Sequence, residues 1–431
     1  MKDFGTSSDP AVQAQLDRLA ALSVPQGRLG LETIRTLLAR LGDPHLALPP
    51  VFHVAGTNGK GSTCAFLRAM LEAQGHRVHA ATSPHLVRYN ERIRVAGELI
   101  PDARLAELLA EVLDAGSDLA PSFFEVTIAA TFLEFARVPA DTCVVEVGLG
   151  GRFDATNVIP EPVACGIAAL GIDHERFLLA PDDDVPAEPL ARIAFEKAGI
   201  AKPGVPLVTF EYPPQAATAV ERVADRVGAP TFALGADGGW SANVAEDHIA
   251  YADAQGTLSL PLPTLPGRHQ AFNAALAVAL LRHQQAVSVS PEAMAAGIRT
   301  ARWPARLQRL ASGPLTGERE AWLDGGHNPS AGATLAEHFT GQRLHLVIGM
   351  IEGKNPMALV APLAPSIASL TAVPVPDHDH YPPEAFGEIA SGAPDVTAAL
   401  AALPDDDLPV LIAGSLYLAG EVLRLNDEWP D

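Results

Sequence analysis

Short runs of consecutive apolar residues alternate along the chain with stretches in which apolar positions recur at helical spacing. A strand covered on both faces needs the first pattern and a helix lying on a sheet needs the second. Their alternation predicts βαβ units and an α/β fold with largely parallel sheets. Residues 51–54 read as the first buried strand. A glycine-rich turn follows, then a helix over 62–74 with Phe66, Leu67, Met70 and Leu71 on one face and Gly75 as its stop. Further strands are predicted at 78–81, 142–147, 163–168 and 207–210, and helices over 102–113 and 126–137.

The Pro/Gly-rich segment 261–267 leads into a helix over 270–282. After Trp303-Pro304 the alternation restarts, with strands expected at 322–323, 344–348, 370–373 and 408–412. This places a domain boundary near residue 303. Residues 1–302 form a larger α/β domain on a mainly parallel sheet, and 303–431 a smaller, Rossmann-like α/β domain. No internal repeat or low-complexity tract interrupts the pattern. The acidic stretch Pro181-Asp182-Asp183-Asp184 reads as a solvated loop.

Composition narrows the function. At 431 residues, 48% hydrophobic and 19% charged, the chain can bury a large core and is not disordered. Its 36 Gly and 37 Pro point to many loops. Thirty basic against 51 acidic residues give a net charge of −21, with no Lys/Arg cluster to hold a phosphate backbone, so nucleic acid is not an expected partner. The three cysteines have no paired or metal-type spacing, and Cys143 and Cys165 sit in apolar runs, which fits a reducing compartment. The first residues lack the apolar core of a signal peptide. The longest apolar stretch, 163–172, falls short of the ~18 residues needed to span a bilayer. A soluble, cytoplasmic protein is expected.

The turn after the first strand reads Gly56-Thr57-Asn58-Gly59-Lys60-Gly61-Ser62. A strand, a glycine turn and a helix N-terminus together aim backbone N–H groups, a helix dipole and a lysine charge at one phosphate group. The strict G-x-x-x-x-G-K-[ST] pattern is not met, because Val54 holds its first glycine position and Gly61 separates Lys60 from Ser62. Glu146 closes an apolar run, where a carboxylate is costly unless paired or metal-bound, and Mg²⁺ would arrive with a nucleotide. The alternative is a Glu facing solvent from an edge strand. Asp173-His174 follows another apolar run, with a structural histidine as the plainer reading. Lys197 reads equally as a helix-face salt-bridge residue.

These segments together resemble one family. Residues 54–62, Thr82-Ser83-Pro84-His85 through Ile93, and EVGLGGRFDATN at 146–157 look like the folylpolyglutamate synthases of the Mur-ligase superfamily. More narrowly, they resemble the bifunctional dihydrofolate synthase/folylpolyglutamate synthases. Asp173-His174, Glu196-Lys197-Ala198-Gly199-Ile200, Pro266-Gly267-Arg268-His269-Gln270, Trp303-Pro304-Ala305-Arg306 and Asp324-Gly325-Gly326-His327-Asn328-Pro329 follow in order.

The resemblance implies a P-loop-containing, Mur-ligase-like N-terminal domain and an ATP-dependent ligase. A folate-type carboxylate takes the γ-phosphoryl group of ATP, and the amine of L-glutamate then displaces phosphate to form an amide. By that resemblance Thr57, Asn58, Gly59, Lys60, Gly61 and Ser62 hold ATP, with Asn273, Arg306 and Asp324. Ser83 and Glu146 hold one Mg²⁺, and His174 a second with Glu146. The position matching Lys197 is often a carbamylated lysine in the family. His327 and Ser415 match residues near the incoming glutamate, with an ordinary strand–loop turn as the alternative for Ser415. Ser122, Phe123, Phe124 and Glu125 match the segment that contacts dihydropteroate, and also read as a helix capping box. Phe153, Asp154 and Ala155 complete that pocket, with loop capping as the alternative for Asp154. Arg88, Arg92 and Arg152 offer charge to anionic substrates or lie solvated. Lys60, His174, Lys197 and His327 form the catalytic set. The implied partners are dihydropteroate, reduced folates and L-glutamate, and relatives suggest a monovalent cation; a monomer is expected.

Three departures from the family pattern stand out. Gly349-Met350 is not followed by the usual Asp-Lys-Asp, Phe153 stands where leucine is common, and an acidic, Pro-rich insertion occupies 181–189. A Mur-type ligase acting on a cell-wall nucleotide would need an N-terminal sugar-nucleotide domain, and only some fifty residues precede the loop. A monofunctional folylpolyglutamate synthase and a non-catalytic nucleotide-binding module remain as alternatives. A simple kinase would leave Asp324 and His327 unexplained.

Overall fold

The computed structural model describes residues 6–22, 30–173, 175–180, 182–183 and 185–430. Its largest sheet has eight strands: β1 (Val51–Ala55), β2 (Val78–Ala81), β3 (Ile93–Val95), β4 (Glu98–Leu99), β5 (Thr142–Glu146), β6 (Ala164–Ile167), β7 (Leu207–Thr209) and β8 (Thr231–Ala233), in the order β4-β3-β2-β5-β1-β6-β7-β8. Six strands are parallel, and β3 and β4 extend one edge in antiparallel fashion. The strands expected at 51–54, 78–81, 142–147, 163–168 and 207–210 are β1, β2, β5, β6 and β7, to within two residues at either end. Every residue of β1 and β5 is buried, as their unbroken apolar runs require.

The chain leaves β1 through the helix Lys60–Ala73 to β2, skipping the place that β5 later fills, and then crosses from β5 to β6 on the other side of β1. The carboxyl end of β1 is therefore a switch point, where diverging connections open a crevice. One face of the sheet is covered by the helices Pro10–Ala20, Glu32–Arg40, Asp102–Ala115 and Phe123–Arg137, whose Leu16, Ile34, Leu109 and Phe132 share one core with Val145. A second core joins Ile167 to Phe195 of the helix Pro189–Ala198 and Val220 of the helix Pro214–Val227.

A three-stranded antiparallel sheet, β9 (Trp240–Val244), β10 (His248–Asp253) and β11 (Gly256–Pro261), was not anticipated. Trp240, Ile249, Tyr251 and Leu260 are buried while Ser241 and Ala250 are exposed, so burial alternates and the large apolar residues stand two apart rather than in a run.

Contacts divide the chain into two units, one of residues 1–84, 88–264 and 270–302, the other of 85–87, 265–269 and 303–431. The second unit carries a six-stranded sheet: β12 (Gln308–Arg309), β13 (Ala321–Asp324), β14 (Leu344–Ile348), β15 (Ile367–Ala372), β16 (Ala390–Gly392) and β17 (Val410–Ala413), in the order β12-β13-β17-β14-β15-β16. All its neighbours are parallel except β12 with β13. Among the described residues no helix is long and apolar enough to cross a membrane. Cys64, Cys143 and Cys165 are buried free thiols.

Candidate active site

The glycine turn leaves the carboxyl end of β1 and enters the helix Lys60–Ala73 through Gly59, whose φ of 81° is in the left-handed region. The loop is hemmed in. A Cβ on Gly56 would stand 2.8 Å from the Ala168 Cβ, and one on Gly59 2.5 Å from the Asn273 Oδ1. The N–H groups of Thr57 and Asn58 donate to the Ala169 carbonyl at 2.8 and 3.1 Å, and the Thr57 hydroxyl donates to the Gly171 carbonyl at 3.0 Å. So pinned, the turn presents the first N–H groups of the helix, at Lys60, Gly61 and Ser62, where no intrahelical partner exists.

Lys60 Nζ donates back to the carbonyls of Gly56 and Thr57 at 3.0 and 3.3 Å. Lys197, in the last turn of the helix Pro189–Ala198, does not lie on an exposed helix face. It is 4% exposed, and its Nζ donates to the same Gly56 carbonyl at 2.8 Å. Burial, reinforced by the Lys60 charge, lowers its pKa to about 7.

Glu146 ends β5 and is 5% exposed, which removes the reading of a solvent-facing edge carboxylate. The Ser83 N–H, just beyond the neighbouring β2, donates to Glu146 Oε2 at 3.1 Å. A carboxylate and a hydroxyl are hard oxygen donors of the kind Mg²⁺ takes, and Mg²⁺ completes its shell with water and phosphate oxygens rather than a protein cage. Among the described residues no three His, Cys, Asp or Glu gather as metal ligands. His174 lies outside the described residues.

The pterin-side candidates also serve the fold. Ser122 and Glu125 make the reciprocal capping box: the Ser122 N–H and hydroxyl each donate to Glu125 Oε2 at 2.8 Å, and the Glu125 N–H donates to Ser122 Oγ at 3.3 Å. Phe123 meets Tyr89 edge to face at 5.9 Å. The Phe124 ring presses on the loop after β5, where a Cβ on Gly148 would be 2.4 Å from it. It lines a small cavity together with Ser83, Arg92 and Glu146, so the structure joins Phe124 to the metal candidates. Asp154 is 4% exposed and caps its own loop, accepting the N–H groups of Leu149 and Thr156 at 2.8 and 3.0 Å. Burial raises its carboxyl pKa against the pull of those hydrogen bonds. Ala155 is part of the core beneath. The Arg88 N–H donates to Glu91 Oε1 at 2.6 Å at the entry of the turn Tyr89–Arg92.

Three features here had no sequence signal. His53, fully buried on β1, meets Thr156 Oγ1 at 2.8 Å, and that hydroxyl donates on to Asp154. Burial lowers the imidazole pKa to about 3, so the ring is neutral and donates from Nε2. Arg92 is 2% exposed and stacks over Tyr89 and Phe123 at 5.4 and 5.5 Å instead of facing solvent. Asp182 in the acidic stretch is not simply solvated either: it accepts from Arg152 at 2.8 Å, so Arg152 is already neutralised.

In the second unit, Asp324 ends β13 and shapes two turns, accepting the Leu307 N–H at 2.8 Å and the Gly326 N–H at 2.7 Å. Arg306 Nη1 donates to the Ala305 carbonyl at 2.9 Å and lies against Gly325. His327 Nδ1 is 3.1 Å from the Gly325 carbonyl. Arg306, Asp324 and His327 thus gather at one strand end. Ser415 is the N-cap of the helix Leu416–Leu425, accepting the Tyr417 N–H at 3.1 Å. His378 stacks on Tyr417 at 4.0 Å.

No family model matches the chain. It is 38% identical over 337 residues to the dihydrofolate synthase/folylpolyglutamate synthase of Escherichia coli (strain K12), covering 76% of this chain and 73% of that protein. The solved structure of E. coli FolC in complex with DHPP and ADP matches with a TM-score of 0.84 and 30% identity, over 97% of this chain and 98% of that one. A bifunctional folylpolyglutamate synthase/dihydrofolate synthase with Mn, AMPPNP and L-glutamate bound matches with a TM-score of 0.83 and 28% identity, over 97% and 98%. Sequence identity at that level over about three quarters of both proteins, with one fold through nearly the whole length, means that the chain belongs to the dihydrofolate synthase/folylpolyglutamate synthase family of ATP-dependent ligases.

Proposed function

We propose that the protein joins L-glutamate by an amide bond to dihydropteroate, forming dihydrofolate, and to reduced folates, lengthening their glutamate tail. The observation that carries this reading is the site at the carboxyl ends of β1, β2 and β5, where a pinned phosphate loop, two lysines on one carbonyl and the Glu146–Ser83 pair come from four separate segments. The acceptor carboxylate attacks the γ-phosphorus of ATP and ADP leaves. The neutral amine of glutamate then adds to the acyl phosphate, and the tetrahedral adduct expels phosphate and loses a proton. Such transfers need positioning and charge neutralisation more than covalent help.

The loop N–H groups and Lys60 hold the phosphates, and Asn273 borders the loop. Ser83 and Glu146 hold one Mg²⁺, which neutralises phosphate charge when bound, and His174 joins Glu146 at a second. Lys197 carries a carbamate, and a monovalent cation completes the set. In the second domain, taken as 303–431, Arg306 and Asp324 contact nucleotide, and His327 and Ser415 contact glutamate. Phe124 and Phe153–Ala155 line the pterin pocket of the first domain, taken as 1–302. The enzyme acts as a cytoplasmic monomer on small molecules, without a nucleic-acid or membrane partner.

Mass spectrometry of ATP- and glutamate-dependent products, with dihydropteroate and tetrahydrofolate in parallel, tests the reading. One glutamate added to the first and more to the second is the expected result. Extension of the folate alone would make the enzyme monofunctional and leave Ser122 and Glu125 as a helix cap. No product from folded protein would leave a nucleotide-binding module.

A further inference from the structure

Two of the three departures from the family pattern, Phe153 in place of leucine and the insertion at 181–189 through its Asp182, meet at one side chain. The Arg152 guanidinium sits over the Phe153 ring, 4.3 Å from its centroid. Its Nη2 donates to Asp182 Oδ2 at 2.8 Å, and Nε and Nη2 donate to the Glu196 carboxylate at 3.0 and 2.7 Å. Arg192 balances the charge, 3.1 Å from Glu196 and 3.9 Å from Asp182. The side chains of Asp182, Glu196 and Arg192 are 11%, 7% and 7% exposed, so these charges act on one another with little screening by water.

A ring face attracts a guanidinium without fixing its orientation in the plane, whereas carboxylates at two positions on its edge do fix it. Leucine at 153 would remove the nearer of two π faces, leaving Arg152 only the Phe195 ring at 5.1 Å, and without Asp182 the cation would lose one of the two carboxylates on its edge. Each departure supplies what makes the other useful. We infer that Asp182 is a positioning residue that acts through Arg152 to hold the Phe153 ring, and that this trio sets the pterin side of the substrate pocket. The inference rests on the assignment of Phe153 to that pocket.

The backbone at Arg152 is held independently of Asp182. The Arg152 N–H donates to the Glu196 carbonyl at 2.8 Å, the Asn157 side chain donates to the Arg152 carbonyl at 3.0 Å, and Gly151 packs on the carbonyls of Glu196 and Lys197. Loss of the Asp182 charge therefore loosens the Arg152 side chain, which stays anchored at Glu196, and the Phe153 ring beneath it, and leaves the loop in place.

Steady-state kinetics of wild type, Asp182→Asn, Asp182→Glu, Phe153→Leu and the Asp182→Asn/Phe153→Leu double variant test this. Asp182→Asn raises the KM for dihydropteroate about fivefold, the size of a partly buried cation–π contact, and leaves kcat and the KM for ATP within about twofold. Asp182→Glu restores most of the loss. In the Phe153→Leu background the Asp182→Asn effect falls below about twofold, because the ring it acts on is gone. An unchanged dihydropteroate KM in Asp182→Asn, an equal effect in both backgrounds, or a proportional loss in kcat and every KM overturns the inference while wild type stays active. Wild-type protein that forms no glutamate adduct overturns the functional reading and the inference with it.

Discussion

Lys60 and Lys197 donate to one acceptor: the Gly56 carbonyl lies 3.0 Å from the first ammonium and 2.8 Å from the second. Burial of Lys197, reinforced by the like charge of Lys60, lowers the Lys197 pKa to about 7. A neutral amine can attack the carbon of CO₂ and release a proton. The carbamate formed would turn a repulsive lysine pair into an attractive one. Protein equilibrated with ¹³C-bicarbonate should show one carbamate resonance that grows between about pH 6 and pH 8 and is missing in Lys197→Arg. A spectrum without that resonance would refute carbamylation at this position.

The same group gives stability a sign against pH. The folded-state pKa of Lys197 is about 7 and its ordinary value 10.5. Below pH 7 both states bind the proton, and the folded protein bears the full cost of the buried charge. Between the two values the unfolded chain holds more protons, so stability rises with pH across that window. In CO₂-free buffer, Lys197→Met should be most stable relative to wild type near pH 6, and the difference should shrink toward pH 9 in calorimetric melts. A difference independent of pH would mean that Lys197 is not depressed.

How much of this was legible follows from how local each feature is. The strand, glycine turn and helix around Lys60 could be read directly, because they are contiguous and each is dictated by local geometry. Glu146 and Ser83 are 63 residues apart, and only the sheet order, with β2 beside β5, brings them together. The inward turn of Lys197 had no local sign, since a lysine in a last helical turn looks the same whether it meets water or a buried carbonyl. Asp182 looked solvated because its partner Arg152 lies 30 residues earlier. The meander β9–β11 escaped because alternating strands carry half the apolar signal of buried ones.

Removal of the Glu146 charge separates chemistry from folding. Its neighbours on β5 are apolar and fully buried, so Glu146→Gln keeps the shape and relieves a buried charge. The melting temperature should hold within a few degrees, while turnover falls about 10³-fold with Mg²⁺ and ATP saturating, a loss typical of a deleted electrostatic contact in phosphoryl transfer. Wild-type-like turnover would take Glu146 out of the site. Lys60→Ala should lose activity with the same retention of fold.

The capping box at Ser122 and Glu125 can be split from substrate contact. Ser122→Ala removes a cap worth about 1 kcal/mol, and by itself that lowers stability without preference between substrates. If Glu125 also meets the pterin, Glu125→Gln should raise the KM for dihydropteroate more than its loss of melting temperature explains, leaving the KM for ATP unchanged. Equal shifts for every substrate would make the segment a cap alone.

Gly59 tests whether the approach of Asn273 to the phosphate loop matters. Alanine there meets two separable penalties. The left-handed backbone costs about 1–2 kcal/mol for any residue with a Cβ. The new methyl would also come within 2.5 Å of the Asn273 Oδ1, and turning that amide away breaks its hydrogen bond to Gln270 at 3.1 Å. Gly59→Ala should therefore lower the melting temperature by several degrees and raise the KM for ATP about tenfold. Adding Asn273→Ala removes the clash but not the backbone strain, so the double variant should be more stable than the sum of the singles allows, with the KM for ATP still high. Strict additivity in both quantities would mean that Asn273 does not constrain the loop, and the nucleotide role proposed for it would fall.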